Sequence, residues 1–296
     1  MKEAFIRQNF RAESLDTIRL INAILAEYQA DGYDLTVRQL YYQLVARGII
    51  ENSQRSYKRA ADLVNNARLA GLIDWDMIAD RGRETITPPA WLDPADIVNQ
   101  AARQFAIDKW HDQQNHVEVM VEKQALEGVL IPVCRALGIR FTANKGYSSS
   151  STLYETSKRL AGFIDAGKNV TVLYLGDHDP SGIDMTRDIT KRLGMFSRRP
   201  VMVNRLALNM DQVETLNPPE NPAKETDSRY TGYIEKYGLS SWELDAIEPR
   251  QLAAIVTAAV KELRNEGLWI AAVDREKDMR LELQNFADNY KSEKRP

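Results

Sequence analysis

The sequence predicts an α/β protein in which a helical module precedes a parallel sheet. Three observations carry this. From residue 115 onward, short apolar runs alternate with amphipathic stretches of about 10–15 residues, the signature of βαβ units. Ahead of residue 85, three helical periods each end at a glycine: Gly32, Gly48 and Gly71. Between the two regions, residues 85–96 (TITPPAWLDPAD) hold three prolines and no period, which marks a linker.

In the first module, Leu15, Ile18, Ile21, Ile24 and Leu25 recur at helical spacing, so residues 1–34 read as an N-terminal helix with its lead-in. Thr36 is a plausible N-cap for a helix through Leu40, Tyr41 and Leu44, and a further helix is expected over 54–70. An extended segment at 72–80 follows. Residues 35–84 therefore read as a helix-turn-helix with a wing. Residues 85–114 are assigned to the linker. In the second module, 115–216, strands are expected at 117–121, 139–143, 170–175 and 200–206, with helices at 124–137, 151–166 and 181–193. Residues 217–296 complete this domain, with a loop at 217–231 and helices at 249–266 and 272–292.

A chain of 296 residues, 44% of them apolar, has room for roughly two domains of about 150 residues, each with its own core. No apolar run reaches membrane-spanning length and the N-terminus lacks a signal-peptide core, so a cytoplasmic protein is expected. Cys134 is the sole cysteine and its helical neighbours Leu130, Val133 and Leu137 are apolar, which places it in a core. With one cysteine and three histidines, any metal must sit on carboxylates. A net charge of −3 excludes a wholly basic nucleic-acid coat. Residues 35–72, however, carry six basic residues (Arg38, Arg47, Arg55, Lys58, Arg59, Arg68) against Glu51 and Asp62. Such an excess suits phosphate backbone, or equally a solvated helix face.

The chemistry concentrates at two strand ends. Gly176-Asp177-His178-Asp179-Pro180-Ser181-Gly182 follows the apolar run 172–175, and Glu122 follows the strand at 117–121. Carboxyl ends of parallel strands face the ligand crevice. If the two strands are neighbours, Glu122, Asp177 and Asp179 converge, and hard carboxylate oxygens suit Mg²⁺, which takes one or two carboxylates plus water and phosphate. Asp179 before Pro180 is equally the pattern of a helix N-cap. His178, between the aspartates, should point to the opposite face. His111 and His116 read as packing residues. No GxxxxGK[ST] loop occurs, so no nucleotide site is expected.

A glutamate after one strand and a DxD after another resembles the TOPRIM domain. Val121-Glu122-Lys123 and the 176–182 motif resemble most the A subunit of type IIB topoisomerases (topoisomerase VI) and the related meiotic double-strand-break proteins. Lys145-Gly146-Tyr147 resembles a loop of that family. Thr36-Val37-Arg38-Gln39-Leu40-Tyr41-Tyr42 resembles its nucleophile motif, in which an arginine precedes the active-site tyrosine by four residues on a winged-helix domain; Gln39 stands where the family has an acidic residue. Positions i and i+4 share a helix face, so Arg38 falls beside Tyr42, while Tyr41 points elsewhere. A weaker echo lies at Trp242-Glu243-Leu244-Asp245-Ala246. The chain is shorter than those A subunits and resembles a minimal form of phages and mobile elements.

The resemblance implies a DNA-cleaving transesterase. Tyr42 would form a 5′-phosphotyrosyl link assisted by Arg38, with Mg²⁺ (Mn²⁺ as a substitute) on Glu122, Asp177 and Asp179. Double-stranded DNA would lie against Arg38, Arg55, Lys58, Arg59 and Lys145. It further implies a homodimer in which one subunit's tyrosine meets the other's metal, a nucleoid location, and a separate ATPase subunit for strand passage. Two alternatives stay open on the sequence: a hydrolytic TOPRIM nuclease with a structural Tyr42, and a non-catalytic DNA-binding protein.

Overall fold

Ile18, Ile21, Ile24, Leu25 and Tyr28 line one side of α1 (Ala12–Ala30) and bury against the next two helices. Thr36 caps α2 (Val37–Ala46) in a reciprocal box: the Gln39 N–H donates to the Thr36 hydroxyl (3.3 Å) and the Thr36 N–H to the Gln39 side-chain oxygen (2.9 Å). The residue that departs from the family motif is thus employed in starting this helix. Ser53 caps α3 (Gln54–Leu69), its hydroxyl accepting the Ser56 N–H at 3.1 Å. Together with Leu35, Ile73 and Ile78, the three helices close a small core of their own.

The protein is known from a computed structural model that describes residues 2–78 and 88–292. The extended segment expected at 72–80 is, up to residue 78, a turn and one 3-10 turn at Trp75–Met77, and Ile78 alone bridges back to Leu35. The remainder of that expected wing lies outside the described residues. Part of the expected linker is also helical. Asp93 caps α4 (Pro94–Gln104), with Pro94 in the first turn, where its missing N–H costs nothing.

The second module is built from β1 (Asn115–Val121), α5 (Glu127–Ala136), β2 (Arg140–Ala143), α6 (Ser150–Asp165), β3 (Asn169–Leu175), α7 (Pro180–Ser197) and β4 (Met202–Ala207). Its four strands are all parallel, in the order β2-β1-β3-β4. Val117, Val119, Val121, Leu173 and Leu175 face one core, and Met120, Val172 and Tyr174 face a second one with α6 and α7. Both sheet faces are therefore covered, which explains why these strands read as nearly continuous apolar runs. His116 stacks on Phe163 (3.6 Å between ring centres) and meets the buried Glu118 at 3.0 Å, while Arg159 donates twice to that carboxylate. Cys134 is buried in the first core.

The region read as a loop at 217–231 contains more order than its composition suggests. After α8 (Met210–Leu216) come β5 (Glu220–Pro222), α9 (Tyr230–Tyr237) and β6 (Ser240–Trp242), with β5 and β6 paired antiparallel. The chain then ends in α10 (Pro249–Glu262), which packs on α5, and α11 (Glu266–Ser292), which holds α4. Among the described residues no helix is long and apolar enough to cross a membrane.

Leu173, 1% exposed at the centre of the sheet, tests this core. Leu173→Ala should lower unfolding free energy by about 2–5 kcal/mol, read from urea denaturation.

Candidate functional site

The register of the sheet builds the site. Val121 pairs with Leu175, so the residues that follow, Glu122 and Gly176, leave the sheet side by side. The Glu122 N–H donates to the Leu175 carbonyl (2.9 Å), and the Asp177 N–H donates to Glu122 Oε2 (2.9 Å). Gly176 is required by close approach: a Cβ there would lie 2.8 Å from Glu122 Oε2. Gly182 is tighter still, its hypothetical Cβ 2.2 Å from the Asp177 carbonyl oxygen.

Asp177 and Asp179 differ in use. Asp177 accepts the Leu244 N–H on Oδ1 (2.8 Å) and the Lys123 ammonium on Oδ2 (2.9 Å). Asp179 caps α7, its Oδ1 accepting from the Gly182 N–H (2.6 Å) and the Ser181 hydroxyl (2.9 Å). The helix-start reading of Asp179 is thus realised, and its carboxylate still lines the crevice. His178 turns away as expected, buried among Tyr233, Tyr237 and Trp242, with Nδ1 2.8 Å from the Tyr233 oxygen.

Four residues that the sequence did not assign complete the arrangement. β6 is clipped to the DxD loop by two backbone hydrogen bonds, His178 N–H to Trp242 O (2.8 Å) and Trp242 N–H to His178 O (3.0 Å). This brings Glu243 and Asp245 to the crevice. Lys123 places its ammonium 2.8 Å from Glu243 Oε2, 2.9 Å from Asp245 Oδ1 and 2.9 Å from Asp177 Oδ2. Arg205, from β4, lies beneath and donates to the carbonyls of Gly176 (3.0 Å), Asp177 (2.6 Å) and Gly182 (2.9 Å), pinning the loop. The only sequence signal for Glu243 and Asp245 was the motif echo. Lys123 lay inside a quoted motif, and nothing local marked Arg205.

The helical module meets this cluster through Arg38. Its guanidinium donates to both oxygens of Glu243 and lies 3.1 Å from Asp245 Oδ2. It also sits 5.9 Å from the centre of the Tyr42 ring. Tyr41 is spoken for, donating to Asn52 Oδ1 (2.9 Å) and accepting the Ser53 N–H (2.9 Å). Tyr42 instead lines a hollow with Arg38, Asn221 and Glu243, and it is only 3% exposed. That hollow adjoins a larger one of about 460 Å³ lined by all five carboxylates and by Arg38, Lys123, Lys145 and Lys224. Lys145 and Lys224 are exposed at its rim. Tyr42 therefore adjoins the carboxylates of its own chain. Arg55, Lys58 and Arg59 are exposed on α3, outside these contacts.

Burial and the neighbouring Asp177 charge push the Glu122 carboxyl up to about 8, and burial raises Asp177 despite Lys123. Against its burial, the Lys123 and Arg38 cations hold Glu243 well down, at about 2. Burial and the charges of Glu243 and Asp245 push the Tyr42 phenol up to about 12, with Arg38 opposing.

The donor set suits a hard divalent cation in kind. Glu122 Oε1 and Asp179 Oδ2 accept no hydrogen bond among the described residues, and two carboxylates plus water and phosphate are what Mg²⁺ takes. Asp177 has both oxygens engaged, so in this arrangement it anchors the loop, and no three acidic or imidazole groups among the described residues stand as a ready-made metal cage. No protein-family model matches the chain, and no curated protein matches it.

The Glu122 shift has a measurable sign. Its proton is held more tightly in the folded chain than in the unfolded one, where the ordinary value is 4.5. The folded state binds the extra proton between the two values, so metal-free stability falls as pH rises from about 4.5 to about 8. Thermal melts in EDTA should show that fall, and Glu122→Gln, uncharged throughout, should remove the part of it above about pH 6, leaving the share that the raised Asp177 contributes.

Proposed function

We propose that this chain is a DNA-cleaving transesterase of the type IIB topoisomerase A kind, with Tyr42 as nucleophile. The observation that carries the reading is the Arg38 bridge. One helix presents both Arg38 and Tyr42, and Arg38 is bound to the loop whose carboxylates hold Lys123, which in turn pairs with Asp177. The two motifs that resemble one family are far apart in sequence and converge on one crevice. Its basic rim of Lys145 and Lys224 and acidic floor suit a polyanion that enters with a cation.

In the reaction, the Tyr42 oxygen attacks a backbone phosphorus, the P–O bond to the 3′ carbon's oxygen breaks, and that oxygen leaves as a hydroxyl. The product is a 5′-phosphotyrosyl link. The phenol proton must be lost, and Arg38 and the Asn221 side chain are the groups that favour the phenolate. Glu122 and Asp179 would hold Mg²⁺ or Mn²⁺, which supplies charge neutralisation of the phosphate there. Asp177 orients that pair by fixing the loop. One tyrosine per chain cuts one strand, so a double-strand break requires a homodimer, and strand passage would require a separate ATPase subunit.

The hydrolytic alternative draws on one observation, the burial of Tyr42, which is what a core aromatic shows. A covalent bond separates the two. With Mg²⁺ and duplex DNA, denaturing the wild-type reaction should trap DNA on protein. Tyr42→Phe should abolish adduct and cleavage together, whereas Tyr41→Phe should retain both while losing about 1 kcal/mol of stability from its hydrogen bonds to Asn52 and Ser53. Cleavage by Tyr42→Phe with no adduct ever trapped would make the protein a hydrolytic nuclease.

A further inference from the structure

Three side chains wall both the Tyr42 hollow and the carboxylate crevice: Arg38, Asn221 and Glu243. A phosphodiester attacked by Tyr42 beside Glu122 and Asp179 has to pass this shared wall. At that point the free chain already holds an anion. The Glu243 carboxylate receives Arg38 on both oxygens and the Lys123 ammonium at 2.8 Å. The Asn221 amide nitrogen, on the same wall, is buried without a hydrogen-bond partner.

Asp245 touches the same two cations, and the contrast between the two acids is informative. The Asp245 side chain is 0% exposed and lines the carboxylate crevice only; that of Glu243 is 24% exposed and lines both hollows. Asp245 is therefore the permanent counter-ion. Glu243 is the replaceable one. A carboxylate and a phosphodiester each present two oxygens sharing one negative charge, and both suit the planar fork of an arginine. Exchanging one for the other leaves the charge at Arg38 and Lys123 unchanged, whereas simple removal of Glu243 would leave both cations short of a partner.

From this we infer that Arg38 and Lys123 form the subsite for the scissile phosphodiester, and that Glu243 is its internal placeholder, displaced when DNA binds. The inference rests on the DNA-cleaving reading and adds to it a residue, Lys123, and a restraint: the free chain competes with its own substrate. Displacement also removes a contact that closes the wall over Tyr42, so access to the nucleophile is coupled to occupation of the subsite.

The test is binding of a fluorescein-labelled duplex of mixed sequence to the full chain, followed by anisotropy in EDTA so that no cleavage intervenes. Glu243→Gln should bind on the order of tenfold tighter than wild type, equivalent to one charge-assisted contact no longer competed for. Glu214→Gln, an exposed position on α8, removes the same unit of charge elsewhere and sets the general electrostatic effect. Glu243→Ala should show the same tightening. If wild type binds and neither Glu243 variant exceeds Glu214→Gln, the placeholder is overturned and the DNA reading survives. If no variant and no wild-type protein binds the duplex, the DNA reading falls and the placeholder with it. Loss of the circular dichroism of a folded chain in both Glu243 variants would make Glu243 a structural pin, which also overturns the inference.

Discussion

One ammonium group holds three carboxylates. Lys123 stands within 2.8–2.9 Å of Asp177, Glu243 and Asp245, which come from two separate loops. Acids this buried are costly to ionise unless paired, and breaking a buried pair by removing one partner costs about 3–5 kcal/mol. The DxD loop, the segment after β6 and, through Arg38, the helical module all converge on this ion cluster. Ala246, two residues beyond Glu243's leucine neighbour, then inserts into the core of the helical module, so the same turn that supplies the acids also carries an apolar contact between the modules.

The backbone makes such a concentration of charge affordable. Parallel pairing aligns Val121 with Leu175, two glycines let the loops touch, and Arg205 takes the carbonyls of Gly176, Asp177 and Gly182 on one guanidinium. Three backbone carbonyls near the strand ends thereby find a donor. The carboxylates are left to deal with one another. Two cations pair directly with the cluster, and the remaining repulsion, added to burial, appears as the raised Glu122 carboxyl.

How much of this could be read from sequence follows the range of the interactions involved. The parallel sheet was legible, because strands covered on both faces leave long apolar runs. So was the convergence of Glu122 with the DxD motif, since both stand at the carboxyl ends of such runs. The dual life of Asp179 was legible as an alternative that only geometry could resolve. Lys123, Glu243, Asp245 and Arg205 were not, because each acts on residues that sequence separation hides: Lys123 and Asp245 are 122 positions apart. The short strand β5 sat in a proline-rich stretch that composition marks as loop, and its existence depends on β6 pairing with it. Helix α4 was hidden by the prolines ahead of it, although one of them is what starts it.

The charges around Tyr42 also bear on when it can react. Burial is the largest influence on its phenol, and Glu243 and Asp245 add to it, all three favouring the protonated form; Arg38 and the Asn221 side chain work the other way. A phosphodiester in place of Glu243 conserves charge and so leaves that balance nearly where it was. Under the proposed function, phenolate formation at Tyr42 would accordingly demand added positive charge near the phosphate, of the kind that Glu122 and Asp179 would hold. On this account substrate and cation answer different parts of one requirement. Under the proposed function the phosphate would open the wall and a cation held by Glu122 and Asp179 would favour the phenolate, so that neither alone would turn a buried tyrosine into a nucleophile.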